Sequence, residues 1–114
     1  MKYKEALILI EKEFETRNES PHNKIIKTGL TYNGCNGFCV SIYDDNGVAL
    51  ITDLGETKEI FDEVSKAEWE ELCEEHGFEF RHWRIVREFS SINDLYEYIK
   101  FLDFISDKYF KLDN

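Results

Sequence analysis

Asp53 and Glu56 stand three residues apart, just after the apolar run Val48-Ala49-Leu50-Ile51. Two carboxylates at a strand end suit a divalent cation or a general acid–base pair. The same spacing suits a helix cap, with Asp at the N-cap, Glu three residues on, and Gly55 relaxing the corner. No third ligand is placed beside them by spacing. The residues therefore support two readings: a metal-dependent hydrolase centred on Asp53 and Glu56, or a structural cap.

Cys35, Cys39, Cys73 and His76 are the next set with chemistry in it. Thiols plus an imidazole suit zinc, and Cys73 and His76 share one face of a helix. Cys35 and Cys39 fit less well. In a strand they stand ~13 Å apart, too far to share an ion unless a turn at Asn36-Gly37 folds them together. Cys73 beside His76 is also the one local pair with the makings of a thiol nucleophile, but nothing marks an oxyanion site. Three cysteines with no familiar spacing read as free thiols in a reducing cytoplasm. No cofactor is implied. No Gly-rich phosphate loop, nucleophile elbow or His-Glu-x-x-His helix is present.

Charge supplies the third set. The 114 residues carry a formal net charge of −10, which disfavours direct binding to a phosphate backbone. From Asp53 to Glu79 there are eleven acids against Lys58 and Lys66, and from Phe80 to Arg87 there are three arginines and no acid. The acids expected on the surface are Glu56, Glu59, Asp62, Glu63, Glu68, Glu70, Glu71, Glu74 and Glu75. A solvated helix face is one reading. A plate complementary to a basic protein is the other. Arg81, Trp83 and Arg84 sit beside it, and an aromatic between arginines at a loop tip has the composition of a contact hot spot. The alternative folds Trp83 back onto the sheet and pairs the arginines with the acidic helices.

These residues need elements to hold them. Tyr3, Ala6, Leu7, Ile10 and Phe14 recur at helical spacing and predict a helix over 2–17, with a loop at 18–23. Residues 24–31 read as a strand, followed by turn signals at Asn33-Gly34 and Asn36-Gly37. Phe38, Val40 and Ile42 alternate as a half-buried strand, Asp44-Asp45-Asn46-Gly47 turns it, and Val48–Thr52 returns. A short helical stretch follows the Asp53 corner. Ser65 with Glu68 has capping-box spacing and opens a helix that Gly77 closes. Residues 78–89 read as a hairpin turning at His82-Trp83, which would set Phe80 opposite Ile85. Ser91-Ile92-Asn93-Asp94 opens a last helix that runs to about residue 110. The sum is an α+β fold: a mostly antiparallel sheet of four or five strands with N-terminal, middle and C-terminal helices packed on it.

The last helix has more apolar surface than one docking face uses. Ile92, Leu95, Tyr96, Ile99, Leu102 and Phe110 form one stripe. Tyr98, Phe101, Ile105, Tyr109 and Leu112 form a second. Together they cover about 220°, against about 100° for a helix docked by one side. The N-terminal helix or a second subunit could cover the excess, which makes Tyr98, Phe101, Ile105 and Tyr109 candidates for a homodimer interface.

Ile51-Thr52-Asp53-Leu54-Gly55-Glu56-Thr57, then Glu75-His76-Gly77-Phe78-Glu79-Phe80 and Ile85-Val86, resemble the corner, helix end and hairpin of the family catalogued as domain of unknown function 1828. The likeness runs over about residues 30–107, and the last helix resembles that family's closing helix. It implies a fold and a bacterial or phage setting, and no activity. Where that family tends to place Asp-Gly at the hairpin turn, this chain has His82-Trp83.

Hydrophobic residues make up 42% of the chain, and there is one proline. A packed core and a single domain over 1–114 are expected. No run of residues is long and apolar enough to span a membrane, and no signal peptide is read at the start. The functional expectation is a cytoplasmic, non-enzymatic acidic module. It would dock on a protein with a basic surface and inhibit a nucleic-acid-handling protein, for example one of host defence. The alternatives are the hydrolase and a dimeric structural accessory domain.

Overall fold

The computed structural model describes residues 1–29 and 39–110, with the backbone alone at position 110. Ten elements follow in order: α1 (Tyr3–Glu11), β1 (Thr16–Ser20), β2 (Asn23–Ile26), β3 (Val40–Asp45), β4 (Val48–Thr52), α2 (Glu56–Ile60), α3 (Lys66–Glu75), β5 (Glu79–Arg81), β6 (Arg84–Glu88) and α4 (Ile92–Phe110). The fold is α+β. Its six strands form one antiparallel sheet in the order β1-β2-β3-β4-β6-β5.

The strand that sequence reasoning missed is β1. The helix expected to reach residue 17 stops at Glu11, and Thr16–Ser20 pairs with Asn23–Ile26 around Pro21-His22. Strand β1 is almost wholly exposed, so it leaves no alternating apolar signal. Its Arg17 and Glu19 charge the sheet edge, which disfavours pairing with another chain. The Asn-Gly turns at 33–34 and 36–37, like Cys35 and Leu112, lie outside the described residues.

The remaining boundaries follow local chemistry. Asn46 and Gly47 both take positive φ, at 52° and 92°, the geometry of a tight two-residue hairpin. The Gly47 amide donates to Asp44 Oδ1 at 2.6 Å. Ser65 Oγ accepts from the Glu68 amide at 3.2 Å and caps α3. Gly77, at φ 82°, ends that helix, with the Phe78 amide reaching back to the Cys73 carbonyl at 2.8 Å. Helix α4 is held at its start by Asp94 Oδ2, which accepts from the amides of Ser90 and Ser91.

Alternation along the strands sets two faces. Ile42, Ile51 and Ile85 point to the helices and join Ala6, Ile10, Trp69, Leu72, Leu95 and Leu102 in the core. Tyr43, Leu50, Thr52, Val86 and Arg84 occupy the opposite face, with Tyr43 opposite Leu50 and Thr52 opposite Val86.

This packing takes Tyr98, Phe101 and Ile105 out of the expected dimer interface. Tyr98, Phe101 and Ile105 are buried in the chain's own core, and Tyr109 is half-buried. Phe101 stacks on Phe78 at 4.4 Å between ring centroids, and Tyr109 packs on Phe61 and Trp69. The second stripe is covered because α3 and the start of the hairpin lie on it. Among the described apolar residues of α4, only Tyr96 and Phe104 stay exposed, each at 42%. Tyr96 still meets the segment after α1, where its ring touches Phe14 and its hydroxyl donates to Glu13.

Candidate functional site

The Asp53 corner is a backbone clamp. Asp53 is 1% exposed, and its Oδ1 accepts from the Gly55 amide at 2.9 Å and the Ile85 amide at 3.2 Å. The second bond ties the end of β4 to β6 across 32 positions of sequence. Leu54 and Gly55 take φ of 57° and 83°, and the chain reverses so that the Glu56 amide meets the Asp53 carbonyl at 3.2 Å. Asp53 is therefore not the cap of α2. Gly55 occupies that position, and α2 has no side-chain cap. Burial pushes the Asp53 carboxyl above its ordinary range, and its bonds to the Gly55 and Ile85 amides, with the donors of Thr57 close by, only partly oppose this. Oδ2 and the nearby Thr57 hydroxyl are both buried, and neither reaches good hydrogen-bonding geometry.

These facts correct the hydrolase reading. A general acid or metal ligand must reach its substrate, and Asp53 is sealed. Glu56 is exposed on α2, and its carboxylate accepts from the Cys39 backbone. Its carboxyl is raised by partial desolvation, then by the negative charges of Asp53 and Glu59. The groove on the open sheet face takes only Thr52 from this corner.

Among the described residues the thiol set is not assembled either. Cys39 and Cys73 are both buried and free. Burial pushes both thiols up to about 12, so neither is a thiolate at neutral pH. His76 is exposed, with Nδ1 at 2.9 Å from the Leu72 carbonyl and its ring on Phe101 and Phe104. No group of three or more His, Cys, Asp or Glu among the described residues is placed to hold a metal. The zinc and nucleophile readings of Cys73 with His76 are set aside on that geometry.

The acidic block behaves differently. All nine expected acids are exposed. On α3 the buried residues Trp69, Leu72 and Cys73 define the inner side. At about 100° per residue, Glu68, Glu70, Glu71, Glu74 and Glu75 spread over the outer side. Among the described residues one ion pair neutralises this block internally: Lys66 meets Glu70 at 3.8 Å, with both side chains exposed. A groove of about 290 Å³ runs between α3 and α4, walled by Glu68, Glu71 and Glu75, with Leu72, Lys108 and Tyr109 completing it. The Tyr109 hydroxyl donates to Glu68 at 2.5 Å, fixing one carboxylate at the rim.

The hairpin tip divides between two faces. His82 and Trp83 form the two-residue turn with φ of 53° and 63°, and Phe80 sits opposite Ile85 as the spacing predicts. Trp83 is 47% exposed. It does not lie between arginines as expected. Its ring meets Lys58 and Lys66 at 4.9 and 5.8 Å and Phe80 edge-on at 6.0 Å. Arg81 and Arg84 belong to the open sheet face. The third arginine, Arg87, turns inward, bridging Asp94 and Glu97 at 3.2 and 2.7 Å and covering Phe78.

Among the described residues, no helix is long and apolar enough to cross a membrane. Comparison with family models, curated proteins and solved structures finds no match.

Proposed function

We propose that the chain is a non-enzymatic binding module whose acidic α2–α3 surface docks on a basic surface of another protein. The observation that carries this reading is the groove between α3 and α4. It sets three carboxylates against one cation, Lys108, and so keeps a net negative charge, a fit for a protruding Arg or Lys with its aliphatic stem on Leu72 and Tyr109. Glu59, Asp62 and Glu63 extend the negative surface, and the exposed part of Trp83 lies at its border through Lys58 and Lys66.

The partner surface that fits a row of carboxylates is one built for phosphates. We therefore assign it to a nucleic-acid-handling protein, inhibited by occupation of its basic groove. Membership of the family of unknown function 1828 is proposed on the corner and hairpin residues alone.

The test is charge reversal. Glu68→Lys, Glu71→Lys and Glu75→Lys together lie on solvent-facing positions and should leave the fold intact. The wild-type protein should retain its partner at low salt and release it as salt rises. The triple variant should not retain it, and nucleic acid should compete with the wild type for the partner. Retention that ignores both salt and charge reversal would refute the proposal.

A further inference from the structure

The open face of the sheet carries a second feature, opposite in charge to the helical surface and not needed by it. A groove of about 360 Å³ lies there, within the size of small-molecule sites. Leu50, Val86 and Thr52 form its floor and Tyr43 one wall. Arg81 and Arg84 form the cationic end, with His82 between them in sequence, and Asp45 stands at the other.

The cationic end is built against local preference. Arg81 and Arg84 are direct cross-strand partners on one face. Like charges so placed repel each other. The turn between them uses two non-glycine residues at positive φ, each costing roughly 1–2 kcal/mol. Arg81 has one acid, Glu79, at 3.4 Å, with both side chains open to water. Arg84 has no carboxylate within pairing distance among the described residues. A chain with 24 acids thus leaves one guanidinium uncompensated beside a concave, partly apolar floor.

We infer that this groove is a binding site for a small organic oxyanion, a carboxylate or phosphate on a compact aromatic or apolar body. The anionic group sits between Arg81 and Arg84, which match oxyanion geometry through paired N–H donors. The body rests on Leu50 and Val86 against the ring of Tyr43. Asp45 at the far end and the net charge of −10 disfavour a long polyanion. The site is on the face of the sheet away from α3 and α4, so its failure and that of the partner surface are separable.

Phenyl phosphate and benzoate are the probes, with inorganic phosphate and acetate as controls without a ring. Binding is followed by NMR on the whole chain. Saturable shifts at the amides of Tyr43, Leu50, Thr52 and Val86 are expected with at least one ring-bearing probe, and weaker ones with the controls. Preference between the two probes assigns the oxyanion as phosphate or carboxylate. Arg84→Gln should weaken binding about tenfold or more. Its melting temperature should not fall, because the substitution removes a like-charge pair. The idea is overturned if no probe gives saturable shifts at these amides, or if the shifts survive unchanged in Arg84→Gln. It is also overturned if the ring-free controls bind equally well, or a short single-stranded oligonucleotide binds more tightly than either probe.

Discussion

Replacing Asp53 separates a structural clamp from a catalytic carboxylate. Asp53→Ala removes the acceptor for two backbone amides, Ile85 N in the interior and Gly55 N at its margin. An orphaned buried donor costs about 1–3 kcal/mol, so the pair should cost about 2–5 kcal/mol, on the order of 10–20 °C in Tm for a chain of this size. Asp53→Asn keeps an Oδ1 acceptor for both amides and puts a neutral NH2 where Oδ2 now lies unpaired near Thr57. It should be at least as stable as wild type at neutral pH.

The pH dependence gives a second handle. Burial raises the folded-state pKa of Asp53 above its unfolded value. The folded chain then holds a proton at a pH where the unfolded chain has lost it. The stabilisation from the neutral carboxyl is fully present below the unfolded pKa of about 3.9 and is lost as pH rises through the folded value. Above that pH the buried charge is a cost that Asp53→Asn lacks. The advantage of Asp53→Asn should therefore be largest at neutral pH and shrink toward acid. Effects of the other carboxylates cancel between the two chains except at Glu56, whose carboxyl the Asp53 charge helps to raise. Urea unfolding from acid to neutral pH, read by tryptophan fluorescence from buried Trp69, measures this. If Asp53→Ala unfolds like wild type, or Asp53→Asn is as unstable as Asp53→Ala, the clamp is misread.

The other consequences are simpler. Exchanging His82-Trp83 for Asn-Gly should raise stability by about 1–2 kcal/mol: relief of positive φ outweighs the cation–π and ring contacts of Trp83, and a fall in urea midpoint contradicts this. Ser65→Ala should cost about 1 kcal/mol through the lost α3 cap, seen as a lower Tm. In a Cys35→Ser background the native protein should react slowly with a thiol reagent at neutral pH and quickly once unfolded, since burial holds Cys39 and Cys73 as thiols. Fast labelling of the native form would show that one of them is open.

Much of the fold is legible because local chemistry speaks for it. The Asn46-Gly47 turn, the Ser65 cap and the Gly77 terminus each place a boundary through a bond to the nearest backbone. The Phe80 to Ile85 register follows from a two-residue turn. The exposure of the mid-chain glutamates follows from the helix period, because Trp69, Leu72 and Cys73 can share only one side. Strand β1 was not legible, since an exposed edge strand has no alternating pattern to read.

What the amino-acid order alone determined is therefore local: turns, caps, helix faces and the clustering of acids and arginines along the chain. Tertiary structure decided the rest. It sealed Asp53 by bringing Ile85 to it from 32 residues away. It covered the second stripe of α4 with Phe78 and Trp69. It sent Trp83 to the lysines and Arg81 and Arg84 to the other face of the sheet. Each of these depends on which distant element lies across a given side chain, and neighbours in sequence carry no record of that.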